Sequence, residues 1–140
     1  MTVGNDIKQA LESEIANVVG IPAAAQRSWE NVPFKPTTGT PWVEMTLLPA
    51  SSRKSAIGPS ENYRHDGQFL VALNYPDSTK GTAAVDALAD AVRARFKIPV
   101  TLTSGGTTVR FNWSERNQGV RLAPWWIVTV TISWYAYAST

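Results

Sequence analysis

Few side chains in this sequence could do chemistry, and their spacing argues against most of it. A serine nucleophile would have to recruit His65, the single histidine, which stands between Arg64 and Asp66 in a polar stretch where a solvated loop histidine is the expectation. Asp86 and Asp90, at i and i+4, would put two carboxylates on one helix face, as acid–base work or a divalent cation requires. They lie opposite that helix's apolar stripe and near Arg93, which is the composition of a solvated polar face. Glu12 and Glu14, two residues apart, diverge on a helix. The run Ser78 to Thr82, STKGT, leads into a helix but lacks the G-x-x-x-x-G-K-[ST] spacing that surrounds a phosphate with amides. Gly105-Gly106 reads as a hairpin turn rather than part of a dinucleotide fingerprint. Cysteine is absent, which removes thiol catalysis, disulfides and thiolate zinc sites, and one histidine cannot build a histidine cluster. The sequence therefore predicts no catalytic residue, no metal and no cofactor.

The elements that would position such residues follow from length and pattern. A chain of 140 residues fits one domain, and 44% hydrophobic with 17% charged residues is the balance of a folded globular unit. The net charge of +2 does not by itself point to nucleic acid. Asp6, Glu12 and Glu14 interrupt any apolar signal region in the first twenty residues, and the apolar stretch from Ala123 to Ala138 falls short of the ~20 residues of a membrane helix. No membrane partner is predicted.

Ile7, Leu11, Ile15 and Val18 recur at helical spacing and predict an amphipathic helix over 5–19, stopped by Gly20 and Ile21-Pro22. Prolines and Gly39 make 32–41 an irregular connection, with Trp29 on a short strand before it. Alternation predicts a strand over 42–48 with Val43, Met45 and Leu47 inward. It predicts another over 68–75, apolar on both faces and so covered on both. Ala50 to Asp66, between them, reads as a structureless mobile arm.

Val85, Leu88, Val92 and Phe96 mark a second helix over 82–96 with Thr82 as its N-cap. A two-residue Gly105-Gly106 turn would pair Ser104 with Thr107, Leu102 with Val109 and Val100 with Phe111. The longest alternation runs from Trp126 to Tyr137, with Val128, Val130, Ile132 and Trp134 on one face and Thr, Ser and Tyr on the other. The sum is a single α+β domain over 1–140: a mostly antiparallel sheet of about five or six strands with two helices packed on one face.

Charge and aromatic residues point to surfaces. Residues 101–140 carry Arg110, Arg116 and Arg121 against Glu115 alone, near Trp113, Trp125 and Trp126. That composition fits a platform for stacking bases, and it equally fits a protein interface. Phe69, Phe96, Phe111, Trp113 and Trp134 fall on predicted inner faces, whereas Trp125, Tyr135 and Tyr137 do not. The residues expected to meet another subunit or partner are Arg53, Lys54 and Arg64 in the arm, with Arg116, Arg121, Trp125, Tyr135 and Tyr137.

The run Ser28-Trp29-Glu30-Asn31-Val32-Pro33-Phe34-Lys35-Pro36, followed by Gly39-Thr40-Pro41-Trp42-Val43-Glu44, resembles a family of tailed-phage proteins, the tail terminators. The strand ending at Tyr75-Pro76, the Gly81 to Phe96 helix and the final alternating strand extend the resemblance over nearly the whole chain. It implies a small α+β subunit closing into a ring, typically of six copies, at the head-proximal end of a long non-contractile tail, assembled in the host cytoplasm. Its partners would be copies of itself, the tail tube protein and a head-tail connector or stopper protein. Phage DNA would pass through the channel without sequence-specific binding. The family brings no catalytic residues. A head-tail connector or other neck protein of the same virion, and a small nucleic-acid-binding domain, are the alternatives.

Overall fold

The long alternating strand becomes the spine of the molecule because its apolar face is continuous and needs cover on both flanks. The computed structural model describes residues 3–30, 32–54, 62–77 and 81–139. In chain order the elements are α1 (Val3–Ile15), β1 (Arg27–Ser28), β2 (Trp42–Lys54), β3 (Asn62–Pro76), α2 (Ala83–Arg95), β4 (Leu102–Ser104), β5 (Thr107–Arg116), β6 (Val120–Leu122) and β7 (Trp125–Ser139). The strands form one sheet in the order β1-β2-β3-β7-β5-β4, with β6 pairing the first residues of β7. All pairings are antiparallel except β1 with β2. The expected five or six strands are thus seven, three of which, β1, β4 and β6, are only two or three residues long.

One face of this sheet is the core. Val128, Val130, Ile132, Trp134 and Ala136 of β7 meet Phe69, Val71 and Leu73 of β3, Val43 and Met45 of β2, and Val109 and Phe111 of β5, and none is more than 2% exposed. Ile7, Leu11 and Ile15 of α1 and Val85, Leu88 and Val92 of α2 join the same cluster. Phe96, just past α2, sits between Phe69 and Phe111 with ring centroids 5.9 and 5.6 Å away. Such tilted and edge-on contacts suit the ring quadrupoles.

The hairpin register is as the sequence arithmetic has it, Ser104 opposite Thr107 and Leu102 opposite Val109, while Val100 lies before β4 and only packs against the core. Other expectations change. α1 ends at Ile15, and Val18 reaches the core from the turn that follows. Asp6, beside the apolar stripe of α1, is 7% exposed and accepts a hydrogen bond from the Thr107 hydroxyl at 3.4 Å. Thr82 does not cap α2 with its side chain; its hydroxyl donates to Asp86 Oδ2 at 2.9 Å instead.

The arm expected over Ala50 to Asp66 is corrected at both ends. β2 continues to Lys54 and β3 begins at Asn62, with Ser51 opposite Asp66 and Lys54 opposite Tyr63; residues 55–61 lie outside the described residues. Pro49 and Gly67, which look like strand terminators, face each other inside this pairing. The Leu47 amide points away from β3, donating to Glu30 Oε1 at 2.7 Å, so the nitrogen of Pro49 two residues on also faces the open edge, where its missing proton costs no ladder bond. His65 accordingly stands on a strand, opposite Ala136, rather than in a loop.

Trp113 requires the other correction. Strict alternation from Thr107 would carry it inward, but β5 has a bulge between Phe111 and Trp113 that sets Asn112 and Trp113 on the same side. Trp113 pairs with Ser133 on the sheet's second face and is 46% exposed.

Candidate interaction surface

The second face of the sheet is built by the residues that alternate with the core. Six cross-strand rows define it. Trp42, Asn74, Ile127 and Val120 form one row, Glu44, Ala72 and Thr129 a second, Thr46, Leu70, Thr131 and Glu115 a third, Leu48, Gln68, Ser133 and Trp113 a fourth, Asp66, Tyr135 and Arg110 a fifth, and Arg64, Tyr137 and Thr108 a sixth. Leu70 and Ala72, the apolar pair that predicts cover on the second face of β3, are only half-buried within the chain. Among the described residues, five of the eight exposed large hydrophobic side chains (Leu48, Trp113, Val120, Leu122 and Tyr137) belong to this face. An apolar set concentrated on one side, among short neutral side chains and with charge at its ends, has the anatomy of an interface rather than of scattered surface residues.

Three of the sequence-predicted residues come together here. Arg64 stacks its guanidinium 4.5 Å from the Tyr135 ring centre, donates to the Tyr137 hydroxyl at 3.3 Å and to Asp66 Oδ1 at 2.8 Å, and the two tyrosine rings meet edge-on at 5.8 Å. These bonds hold the Arg64 guanidinium protonated, its pKa raised chiefly by Asp66 and then Tyr137. Arginine and tyrosine already ordered in this way give up little rotamer freedom on docking. Arg53 stands opposite Arg64, and Lys54 opposite Tyr63, at the end of β2 beside this cluster.

The remaining three lie away from this cluster. Trp125 is half-buried, meeting Trp42 edge-on at 6.0 Å, with Phe34 beyond it at 5.1 Å from Trp42. Arg121 pairs with Asp77 at 3.3 Å. Arg116 lies on the core side of β5, opposite Val130, and donates to Asp86 Oδ1 at 2.6 Å. The arginines of the last forty residues therefore do not converge on one platform. The bulge that sends Trp113 outward sends Arg116 inward.

Asp86 is the carboxylate that spacing singled out, and it serves structure. The Arg116 guanidinium, followed by the Thr82 hydroxyl, holds its pKa below the usual aspartate value. A depressed pKa adds stability above the unfolded-state value and withdraws it as pH falls through the folded one. Arg116→Met is expected to lower the melting temperature slightly at neutral pH, with the gap to the parent chain closing as pH falls below the ordinary aspartate pKa of about 3.9. Parallel thermal melts across that range check it. Asp90, one turn on, is exposed.

A cavity of about 520 Å³ opens between the end of β3 and the start of α2, lined by Pro41, Tyr75, Pro76, Val85 and Trp126 and rimmed by the Asp77–Arg121 pair. Burial pushes the Tyr75 hydroxyl above its usual pKa. Asp77 is the single carboxylate among its described lining residues, and Arg121 already neutralises it. Among the described residues no group of three His, Asp or Glu side chains is placed to hold a metal ion, and no helix is long and apolar enough to cross a membrane.

Sequence reasoning missed Leu48, Trp113, Val120 and Leu122. The alternation of Thr107, Val109, Phe111 and Trp113 is unbroken in the sequence, so nothing marks the bulge.

Residues 6–134 match the family model described as phage tail terminator protein. Among the solved structures that share the fold are two that match nearly the full length. One is 20% identical, covers 99% of this chain and 97% of its own, and superposes with a TM-score of 0.73. The other, from the virion of a native gene transfer agent particle, is also 20% identical, with 99% and 98% coverage and a TM-score of 0.60. Among curated proteins none matches.

Proposed function

Because the chain belongs to the phage tail terminator family, we propose that it closes into a ring of six copies that caps the tail tube at its head-proximal end. The ring stops tube polymerisation and offers its free side to the head-tail connector, while DNA passes through the centre without base-specific contact. The family match over residues 6–134 carries this reading. The likeness over nearly the full length to a chain of a gene transfer agent virion is in keeping with it.

The physical mechanism is heterologous association, in which one patch meets a different patch on the next copy and the rotation closes instead of propagating. Closure leaves no free patch in the plane of the ring, and that is the stop signal. The sheet's second face and the Arg64–Tyr135–Tyr137 cluster supply anchors of the type that dominate such contacts.

Electron microscopy of tails assembled with and without the protein tests the reading. Tubes made in its absence are expected to overrun the normal length and to carry no full heads. Uniform tubes of normal length joined to full heads would overturn it.

A further inference from the structure

Resting on the ring reading, we infer that neighbouring copies meet at the lateral margins of the sheet, with Trp113 on the β5 margin of one copy packed against Leu48 on the β2 margin of the next. Both residues lie in a single cross-strand row, Leu48–Gln68–Ser133–Trp113, at its opposite ends. They are exposed by 44% and 46%, while Gln68 and Ser133 between them are half-buried and polar. Each sits beside a β-bulge, one between Pro49 and Ser51, the other between Phe111 and Trp113. Bulges at sheet edges re-aim side chains, and here each edge presents one large apolar group.

Topology makes the two margins complementary. The four long strands β2, β3, β7 and β5 alternate in direction, so the margins run oppositely. A rotation about an axis along the strands therefore sets β5 of one copy antiparallel to β2 of the next and repeats without reversing anything. The patches are different, as a closing heterologous contact requires. The shorter margin, the ten residues of β5 at about 3.3 Å each, limits the contact to about 33 Å of height. At a sheet-plus-helix depth of roughly 20 Å that is roughly 650 Å² per partner, within the range of specific interfaces.

The join is made by side chains rather than by a continuous hydrogen-bonded ladder. On the β2 margin Val43 and Glu44 already pair with β1, the Leu47 amide is taken by Glu30, and Pro49 has no proton to give. On the β5 margin β4 covers Thr107 to Val109. These are devices that keep an edge from adding strands indiscriminately.

Because the chain has no cysteine, Leu48→Cys with Trp113→Cys introduces its only thiols. Oxidation of assembled rings is expected to give a covalent ladder on a denaturing gel that neither single variant gives. Trp113→Glu is expected to abolish rings in negative stain with little change in melting temperature, and adding Leu48→Lys to that variant should restore them. Rings that form normally with Trp113→Glu, together with no ladder from the double-cysteine chain, would overturn the contact and leave the ring reading standing. If the unaltered chain forms no ring on the tube, the ring reading falls, and this contact with it.

Discussion

Replacing Trp134 by alanine is expected to cost about 3–5 kcal/mol of folding stability and to lower the melting temperature by roughly 10–20 °C, the largest effect of any single truncation in the sheet. Trp134 is the largest fully buried side chain among the described residues, 1% exposed, on the central strand and on the core face opposite Phe111. Its loss empties a fully buried site between Gly67 of β3 and Phe111 of β5, and a site walled by sheet backbone can collapse only partly. The indole N–H makes no hydrogen bond among the described residues, so the ring's worth lies in its volume and not in a polar contact. Trp134→Phe should therefore retain most of the stability, losing about 1–2 kcal/mol. Denaturant unfolding of the two variants checks the pair. Equal losses would mean that the indole N–H has a partner and that packing is not the cause.

The legible parts of this fold are those where one period governs a whole element. Val128 to Trp134 alternate without a break, Val85, Leu88 and Val92 repeat at helical spacing, and the Gly105-Gly106 turn fixes its own register; each of these stands as the sequence predicts. The failures within the strands share a cause. Pro49, Gly67 and Asn112 are residues whose local preference is answered by where they sit in the sheet. Pro49 tolerates a strand because its nitrogen faces an open edge, and Asn112 forms a bulge because β5 lies at the sheet's margin over most of its length. Whether a strand is an edge is decided by pairing between distant segments, which no local window contains. The same limit applies to the surface. Arg64, Tyr135 and Tyr137 are found by residue type, but Arg116 and Trp113 exchange sides at the bulge, so composition alone assigns each to the wrong face.

Gly67 should tolerate a single added methyl group poorly, and Gly67→Ala is expected to cost about 3 kcal/mol, at the upper end for overpacking. The residue pairs with Pro49 on one side and Trp134 on the other. A Cβ built on it would lie 2.5 Å from the Leu48 carbonyl oxygen, 2.5 Å from Trp134 Cζ2 and 2.9 Å from Cε2. One obstacle is backbone and the other a fully buried ring, so neither can yield cheaply. The glycine is there because the Trp134 indole lies over it, as an aromatic side chain often lies over a strand glycine. The cost is thus conditional on that ring, and a double-mutant cycle can show it. In a Trp134→Ala background the same methyl group meets only the Leu48 carbonyl and part of an empty site, so Gly67→Ala should cost at least about 1 kcal/mol less there than in the parent chain. Strict additivity of the two losses, measured by denaturant unfolding, would mean that the clash is with the β2 backbone alone. In that case Gly67 would be retained for the bulge beside Leu48, at the very margin where the next copy is inferred to dock.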